Sequence, residues 1–271
     1  MLKFFGTSLI KTFVFDFFQS HCSLAGKIVI DIPAGDGHMS AFLKNAGADV
    51  RPYDLFPDFF KADDLQCEEA DLAEVLPIES ASADIVLCQE GLEHMPNQLF
   101  VLKEFNRILK KQGKLIITVP NISHLRAKFS YFFTESDLLK RMPPNELDAF
   151  WFEKNGKLYF GHIFLLPIQK LRVLAISSGF KIDKVHKVKV SSTSMFLGIL
   201  YPLIVLVNML VYIRNVIKND GIPRSKKRKI YWEIIKLNIH PGILFGRHLF
   251  LELTKESELS DINNYVNERS V

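Results

Sequence analysis

Ile28-Val29-Ile30-Asp31-Ile32-Pro33-Ala34-Gly35-Asp36-Gly37 is a short β-branched run that ends in a carboxylate, enters a turn of small residues and opens a helical pattern reaching Gly47. It reads as a strand, a tight turn and a helix start. Glycine admits positive φ and removes the Cβ that would hold a ligand away, and the first turn of a helix offers unpaired N–H groups. A nucleotide-like ligand at the strand's carboxyl end fits this geometry. So does a plain turn that binds nothing, because two glycines are a weak signal.

Outward from this turn the pattern repeats. Residues 48–54 read as a second strand ending in Asp54, about 20 residues beyond Asp31, the separation at which a carboxylate of a βαβ unit reaches a ribose diol. Residues 68–72 form a weak third strand with Asp71 at its end, and residues 83–88 a clearer fourth, followed by Gln89-Glu90-Gly91-Leu92-Glu93-His94. Leu99, Leu102, Phe105 and Leu109 keep helical spacing across 97–111, with Gly113 as the expected stop and a fifth strand over 114–119. Strands alternating with helices predict a mostly parallel, doubly wound sheet.

Composition bounds the reading. The chain has 271 residues, enough for one large α/β domain or two small ones, and a net charge of only +4, so bulk charge points to no nucleic-acid partner. Cys22, Cys67 and Cys88 lie far apart without a CxxC pair or histidines at ligand spacing, which predicts a reducing cytoplasm and no metal centre. Residues 1–25 carry apolar side chains at i, i+4 (Leu9/Phe13/Phe17, Ile10/Val14/Phe18), interrupted by Lys11 and Asp16. That favours an amphipathic helix covering the sheet or touching a membrane over a signal peptide.

From Val29 to Pro120 the chain resembles the class I S-adenosylmethionine-dependent methyltransferases. The matching motifs, in order, are Asp31 to Gly37, Asp54, Leu92-Glu93-His94 and Gly113-Lys114-Leu115-Ile116-Ile117-Thr118-Val119-Pro120. Further on, Gly161-His162-Ile163-Phe164 and Ser178-Gly179-Phe180 look like the approach to the family's sixth strand, and residues 247–253 like its antiparallel seventh. One position departs: Pro33 stands where the family has its first motif glycine, and proline fixes φ and donates no hydrogen bond. A dinucleotide fingerprint starting at Gly35 and Gly37 fails, since its third glycine position holds Ser40.

The resemblance implies a Rossmann-like seven-stranded sheet with an antiparallel last strand, spanning 26–190 and 247–255, and S-adenosylmethionine as cofactor. It implies Gly35 and Gly37 beneath the cofactor's methionine part, with Asp31 near its amino group. Asp54 would hold the ribose hydroxyls, Asp71 and the Leu72 backbone would meet the adenine, and Gln89 would lie along the carboxypropyl arm. For a hydroxyl acceptor a general base helps, and His94 and His162 are the candidate catalytic residues, with Glu93 orienting His94. Aromatic residues crowd 121–160, which suits an apolar acceptor, a lid or ordinary core.

Residues 191–246 are extra. No charged residue occurs over 190–213, and 196–213 is nearly wholly apolar, close to the roughly 20 residues that cross a bilayer. Basic residues flank it on both sides (Lys181, Lys184, Lys187 and Lys189 before it, Arg214, Lys218 and Arg224-Ser225-Lys226-Lys227-Arg228-Lys229 after it), and the sheet needs the chain back on the same side. This predicts an in-plane or re-entrant apolar helical insert with breaks at Pro202 and His240-Pro241-Gly242; a partner interface or substrate lid is the other reading. Residues 256–271 read as a polar tail.

The expectation is a membrane-associated O-methyltransferase at the inner, cytoplasmic face, acting on a lipid-soluble or lipid-linked acceptor, with oligomeric state open. The alternatives are a soluble small-molecule methyltransferase and a non-catalytic cofactor-binding or scaffold protein on the same fold.

Overall fold

Period-two alternation decides which side of the sheet each strand residue faces. In β1 (Ile28–Asp31), Val29 packs into one apolar cluster and Ile30 into another, so the strand is buried on both faces. A strand of this kind belongs at the centre of a parallel sheet covered by helices on both sides. The computed structural model describes residues 7–21, 23–154, 156–218 and 220–262. The readings of Phe4-Phe5, of Cys22 and of the tail beyond residue 262 lie outside them.

Helix α1 (Thr7–His21) precedes β1, which is followed by α2 (His38–Asn45), β2 (Asp49–Asp54), β3 (Glu68–Glu69) and β4 (Ala83–Gln89). Then come α3 (Gln98–Ile108), β5 (Leu109–Pro120), α4 (Leu125–Thr134), α5 (Glu146–Ala149) and the hairpin of β6 (Phe150–Lys154) and β7 (Lys157–Phe160). The chain continues through α6 (Ile168–Ser177), β8 (Phe180–Val185), α7 (Ser192–Phe196), α8 (Tyr201–Ile217), α9 (Arg224–Asn238), α10 (Pro241–Phe245) and β9 (His248–Lys255).

The main sheet has seven strands in the order β3-β2-β1-β4-β5-β9-β8, with β9 antiparallel to both neighbours. One face is covered by α3, α6 and α10 through Leu102, Phe105, Leu171 and Ile243. The other is covered by α1 and α2 through Val14, Phe17, Phe18 and Leu43. The amphipathic N-terminal segment therefore covers the sheet: Phe17 meets Phe250 of β9 edge-on at 5.4 Å.

Two expectations about elements change. The helix expected over 97–111 ends at Ile108, and Gly113 lies inside β5 rather than after a helix. The reason is pairing: Arg107 and Ile108 carbonyls accept from Ala81 and Ser82, and Leu109 sits opposite Ala83, so the sheet captures the chain a turn early. Pro202 does not break a helix; it occupies the first turn of α8, where its missing N–H costs nothing.

The insert leaves and rejoins the sheet at one place. Val190 and Gly246 form an antiparallel bridge, and the Arg247 amide donates to the Lys189 carbonyl at 3.0 Å. Asn121, just beyond β5, ties this neck to the domain. Its buried amide donates to the Ile243 and Gly246 carbonyls at 2.8 and 2.7 Å, and its Oδ1 accepts from the Ser123 amide. Asn121→Ala strands two buried carbonyls, so we expect a loss of about 2–4 kcal/mol in urea unfolding; a loss within experimental error would show that the neck does not depend on Asn121.

Candidate active site at the carboxyl ends of the central strands

Parallel strands that share a direction bring their carboxyl ends together, and the loops leaving β1, β2 and β4 meet there. Asp31 ends β1 fully buried; its Oδ2 accepts from Ser40 Oγ of α2 at 2.6 Å and its Oδ1 has no hydrogen-bond partner. Burial raises its pKa to about 7, against the lowering effect of Ser40. Asp54 ends β2 and reaches across to the glycine turn, accepting from the Gly35 amide and the Phe56 amide, both at 2.8 Å. A carboxylate has about four lone-pair positions, so Asp54 organises the turn and keeps acceptor capacity.

Gly35 has φ +57° and open space where a Cβ would stand, while Gly37 has φ +79° and lies under the Phe60 ring, 2.8 Å from the position of a Cβ. Pro33 packs on Gly91 so closely that a Cβ on Gly91 would meet Pro33 Cδ at 2.8 Å. The departure at Pro33 is thus accommodated by the loop after β4, and Gly35 and Gly37 keep the conformations the turn needs.

Asp71 accepts from the Ala73 amide and from Tyr159 Oη, both at 2.8 Å, and buried Leu72 follows it. The β6–β7 hairpin thereby closes over the ends of β2 and β3. Lys154 donates to the Leu55 carbonyl at 2.7 Å and to Glu69 at 2.6 Å, and Lys157 pairs with Glu74.

The loop after β4 gathers the titratable groups. Gln89 ends the strand with its Oε1 buried and unpartnered. Glu90 takes φ +50°, and its Oε2 lies 3.7 Å from His248 Nε2 on β9. Burial raises Glu90 to a pKa of about 7, and burial together with Glu90 pushes Glu93 well above the carboxylate range. Both Glu93 oxygens lack hydrogen-bond partners.

His94 Nδ1 lies 2.9 Å from the Phe160 carbonyl, which assigns the proton to Nδ1 and leaves Nε2 as the acceptor. Its ring stacks on Trp151 at 4.8 Å and meets His162 at 4.7 Å. Desolvation lowers both histidines, so each imidazole is neutral at pH 7. One donor atom from each of Glu93, His94 and His162 lies within 4.8 Å of the others, a spacing within reach of one cation.

The nine candidate site residues named from the sequence lie at this end of the sheet, Asp31, Asp54 and Gln89 as the last residues of their strands and the other six in the segments between elements. Ser40, Glu90, Tyr159 and His248 were missed. Glu90 was visible between Gln89 and Glu93, whereas Tyr159 and His248 arrive from distant segments without a local signal.

Residues 10–185 match a family described as a methyltransferase domain. Among curated proteins, the chain is 30% identical over 151 residues to a ubiquinone biosynthesis O-methyltransferase of Methylococcus capsulatus, covering 52% of this chain and 63% of that protein. It is 32% identical over 121 residues to a protein of the same name from Psychrobacter cryohalolentis, covering 41% and 46%. The chain thus spans less than two thirds of the length of these relatives. Among solved structures, a SAM-dependent methyltransferase from Archaeoglobus fulgidus aligns with a TM-score of 0.51 at 16% identity, over 90% of this chain and 94% of that one. A similar protein from Listeria monocytogenes aligns with a TM-score of 0.51 at 14% identity, over 89% and 96%. These two likenesses concern the fold.

The raised pKa of Glu90 makes the stability of the fold depend on pH. Its folded pKa of about 7 lies above the ordinary 4.5, so the folded state loses stability as pH rises from about 4.5, and the loss is complete above about 7. Glu90→Gln should therefore stabilise the ligand-free protein by up to about 3 kcal/mol at pH 8 and by little at pH 5, read from urea midpoints. An equal effect at both pH values would show that Glu90 is not held protonated by its burial.

Proposed function

The chain belongs to the class I S-adenosylmethionine-dependent methyltransferases, and from that premise we propose that it methylates a hydroxyl of a lipid-soluble or lipid-linked acceptor at the cytoplasmic face of a membrane. The observation that carries the cofactor half is the trio at the mouth of the β1–β4 crevice. The unpartnered Asp31 Oδ1 and Gln89 Oε1 stand at the ends of the paired strands β1 and β4, and Gly35, in the turn after β1, leaves open space where a Cβ would be. Buried acceptors without partners are costly, and an ammonium-bearing ligand with a polar arm relieves both.

In this reading Asp31 receives the ammonium group, and Gly35 and Gly37 let the backbone approach the methionine part. Asp54 offers its remaining lone pairs to the ribose hydroxyls, with Asp71 and Leu72 at the adenine end under the Tyr159 clasp. Gln89 lies along the carboxypropyl arm. When bound, the sulfonium supplies an activated methyl group for in-line displacement, so the protein's work is to orient the acceptor oxygen and exclude water. His94 and His162 are the groups that take the hydroxyl proton. His94 is set for this by its Phe160 bond, which leaves Nε2 as the accepting nitrogen, and its low basicity suits an acidic hydroxyl better than an aliphatic one.

The lipid half rests on different support. The curated relatives are named for ubiquinone biosynthesis, and the helix that follows β5 leaves large apolar side chains in the open, with Phe132 82% and Phe133 61% exposed. Exposed apolar surface beside a site marks where an apolar partner arrives.

Calorimetry with S-adenosylmethionine tests the cofactor half. Because burial raises the Asp31 pKa to about 7, binding should tighten by roughly eightfold from pH 6 to pH 7.5, and Asp31→Asn should weaken binding and flatten that slope. No binding by the folded protein would refute the assignment.

A second experiment follows tritium from methyl-labelled cofactor into membrane extract. The expected outcome is label in the lipid phase as a base-stable ether; label confined to water-soluble products would contradict a lipid acceptor.

A further inference from the structure

The stretch Ser192–Ile217, which joins α7 and α8 through a 3-10 turn, is long and apolar enough to cross a bilayer, with a mean hydropathy of 2.3 and none of that window buried. Its surroundings argue for a different arrangement. One side of α8 is fastened along its length to α9. Tyr201 Oη donates to the Ile239 carbonyl at 3.1 Å, Asn238 Nδ2 donates to Asn208 Oδ1 at 3.0 Å, and the Tyr212 ring meets Trp232 at 5.8 Å. At the far end Lys227, only 2% exposed, donates to the Lys218 carbonyl at 2.5 Å and pairs with Asp220, closing the hairpin.

Helix α9 is in turn bound to the methyltransferase fold. Gln169 of α6 donates to the Ile234 carbonyl at 3.0 Å and to Asn238 Oδ1 at 2.8 Å, and Arg172 pairs with Glu233 at 3.3 Å. A polar line from Gln169 through Asn238 to Asn208 therefore sets the position of α8 relative to the sheet.

The free sides of the two helices differ in character. Along α8 the exposed residues as far as Ile213 are apolar, with Leu203, Leu206, Val207 and Leu210 at helical spacing and each about half exposed, and the exposed Arg214 stands in the last turn. Along α9 the exposed residues include Arg224, Arg228, Lys229 and Lys236. If α8 spanned the bilayer, α9 would be carried in beside it with these charges, and charged side chains within hydrocarbon are strongly disfavoured. Lying flat, α8 sinks its apolar stripe into one leaflet while α9 stays at the level of the headgroups, where its cations meet anionic lipid.

We infer that the α8–α9 hairpin is an in-plane, single-leaflet anchor for an anionic membrane, and that α8 does not span the bilayer although its length would allow it. The adjoining α4, which packs against α7, adds Phe129, Phe132 and Phe133 to the same apolar border. The inference rests on the membrane half of the proposed function and specifies its partner and its depth.

The test uses the full chain with vesicles of phosphatidylcholine, with or without phosphatidylglycerol. Trp232 fluorescence is read in a Trp151→Phe background, with lipids brominated either near the headgroup or near the chain end. The expected result is flotation that falls by roughly tenfold or more without phosphatidylglycerol and at high salt. Shallow bromines should quench Trp232 more than deep ones. Leu206→Glu/Leu210→Glu should abolish flotation while binding S-adenosylhomocysteine as the parent does.

Stronger quenching by deep bromines would overturn the in-plane arrangement alone. Flotation indifferent to phosphatidylglycerol would overturn the anionic partner. No flotation with either vesicle would refute this inference together with the membrane reading beneath it. A dimer in solution that Leu206→Glu/Leu210→Glu dissociates, with no flotation, would assign the stripe to a second copy instead.

Discussion

The carboxylate of Asp54 holds the site together. It stands at the end of β2, and by accepting from the amides of Gly35 and Phe56 it fastens the turn after β1 to the loop after β2. Charge-assisted bonds to backbone amides are strong where water is partly excluded, so one side chain sets the shape of the crevice between two strands. Gly37 can then carry the chain into α2 beneath Phe60, and Lys11 of α1 reaches Asp36 at 2.8 Å from the other side. The residue that resembles the family's ribose ligand is thus also the brace for the family's glycine turn.

Around that brace the structure leaves carboxyl oxygens without hydrogen-bond partners. Asp31 and Glu93 are buried and Glu90 is partly buried with its Oε1 enclosed; all three carry oxygens without hydrogen-bond partners and are shifted toward the neutral form. A fold gains nothing from such groups by itself, and perturbed carboxyls gathered in one crevice mark a working site. The nearby histidines are also neutral, so the loop after β4 is poised between carboxylic acids and unprotonated imidazoles.

Much of this was legible in the sequence because it is local. The Val29/Ile30 alternation and the acids at 31, 54 and 71 each report on their own strand end, and Gly35 and Gly37 report on their own turn. What stayed hidden depends on pairing between distant segments. The sheet claims Leu109 to Gln112 through its contact with Ala83, which no helical periodicity can reveal. Tyr159 reaches Asp71 across 88 positions, and His248 meets Glu90 only because β9 returns beside β5. The length of α8 alone reads as a span; the polar line through Asn208, Asn238 and Gln169 is what ties it sideways to the domain.

In the proposed reading the carboxyl ends of β1, β2 and β4 form one crevice that holds the cofactor, with the β6–β7 hairpin as its clasp. Hydrogen-exchange mass spectrometry with and without S-adenosylhomocysteine tests it most directly, because it locates binding without knowledge of the acceptor. The account predicts slowed exchange in peptides covering 31–40, 54–60, 71–73 and 89–94, with the 150–160 hairpin protected alongside them. Protection confined to other segments, or none at saturating ligand, would contradict it.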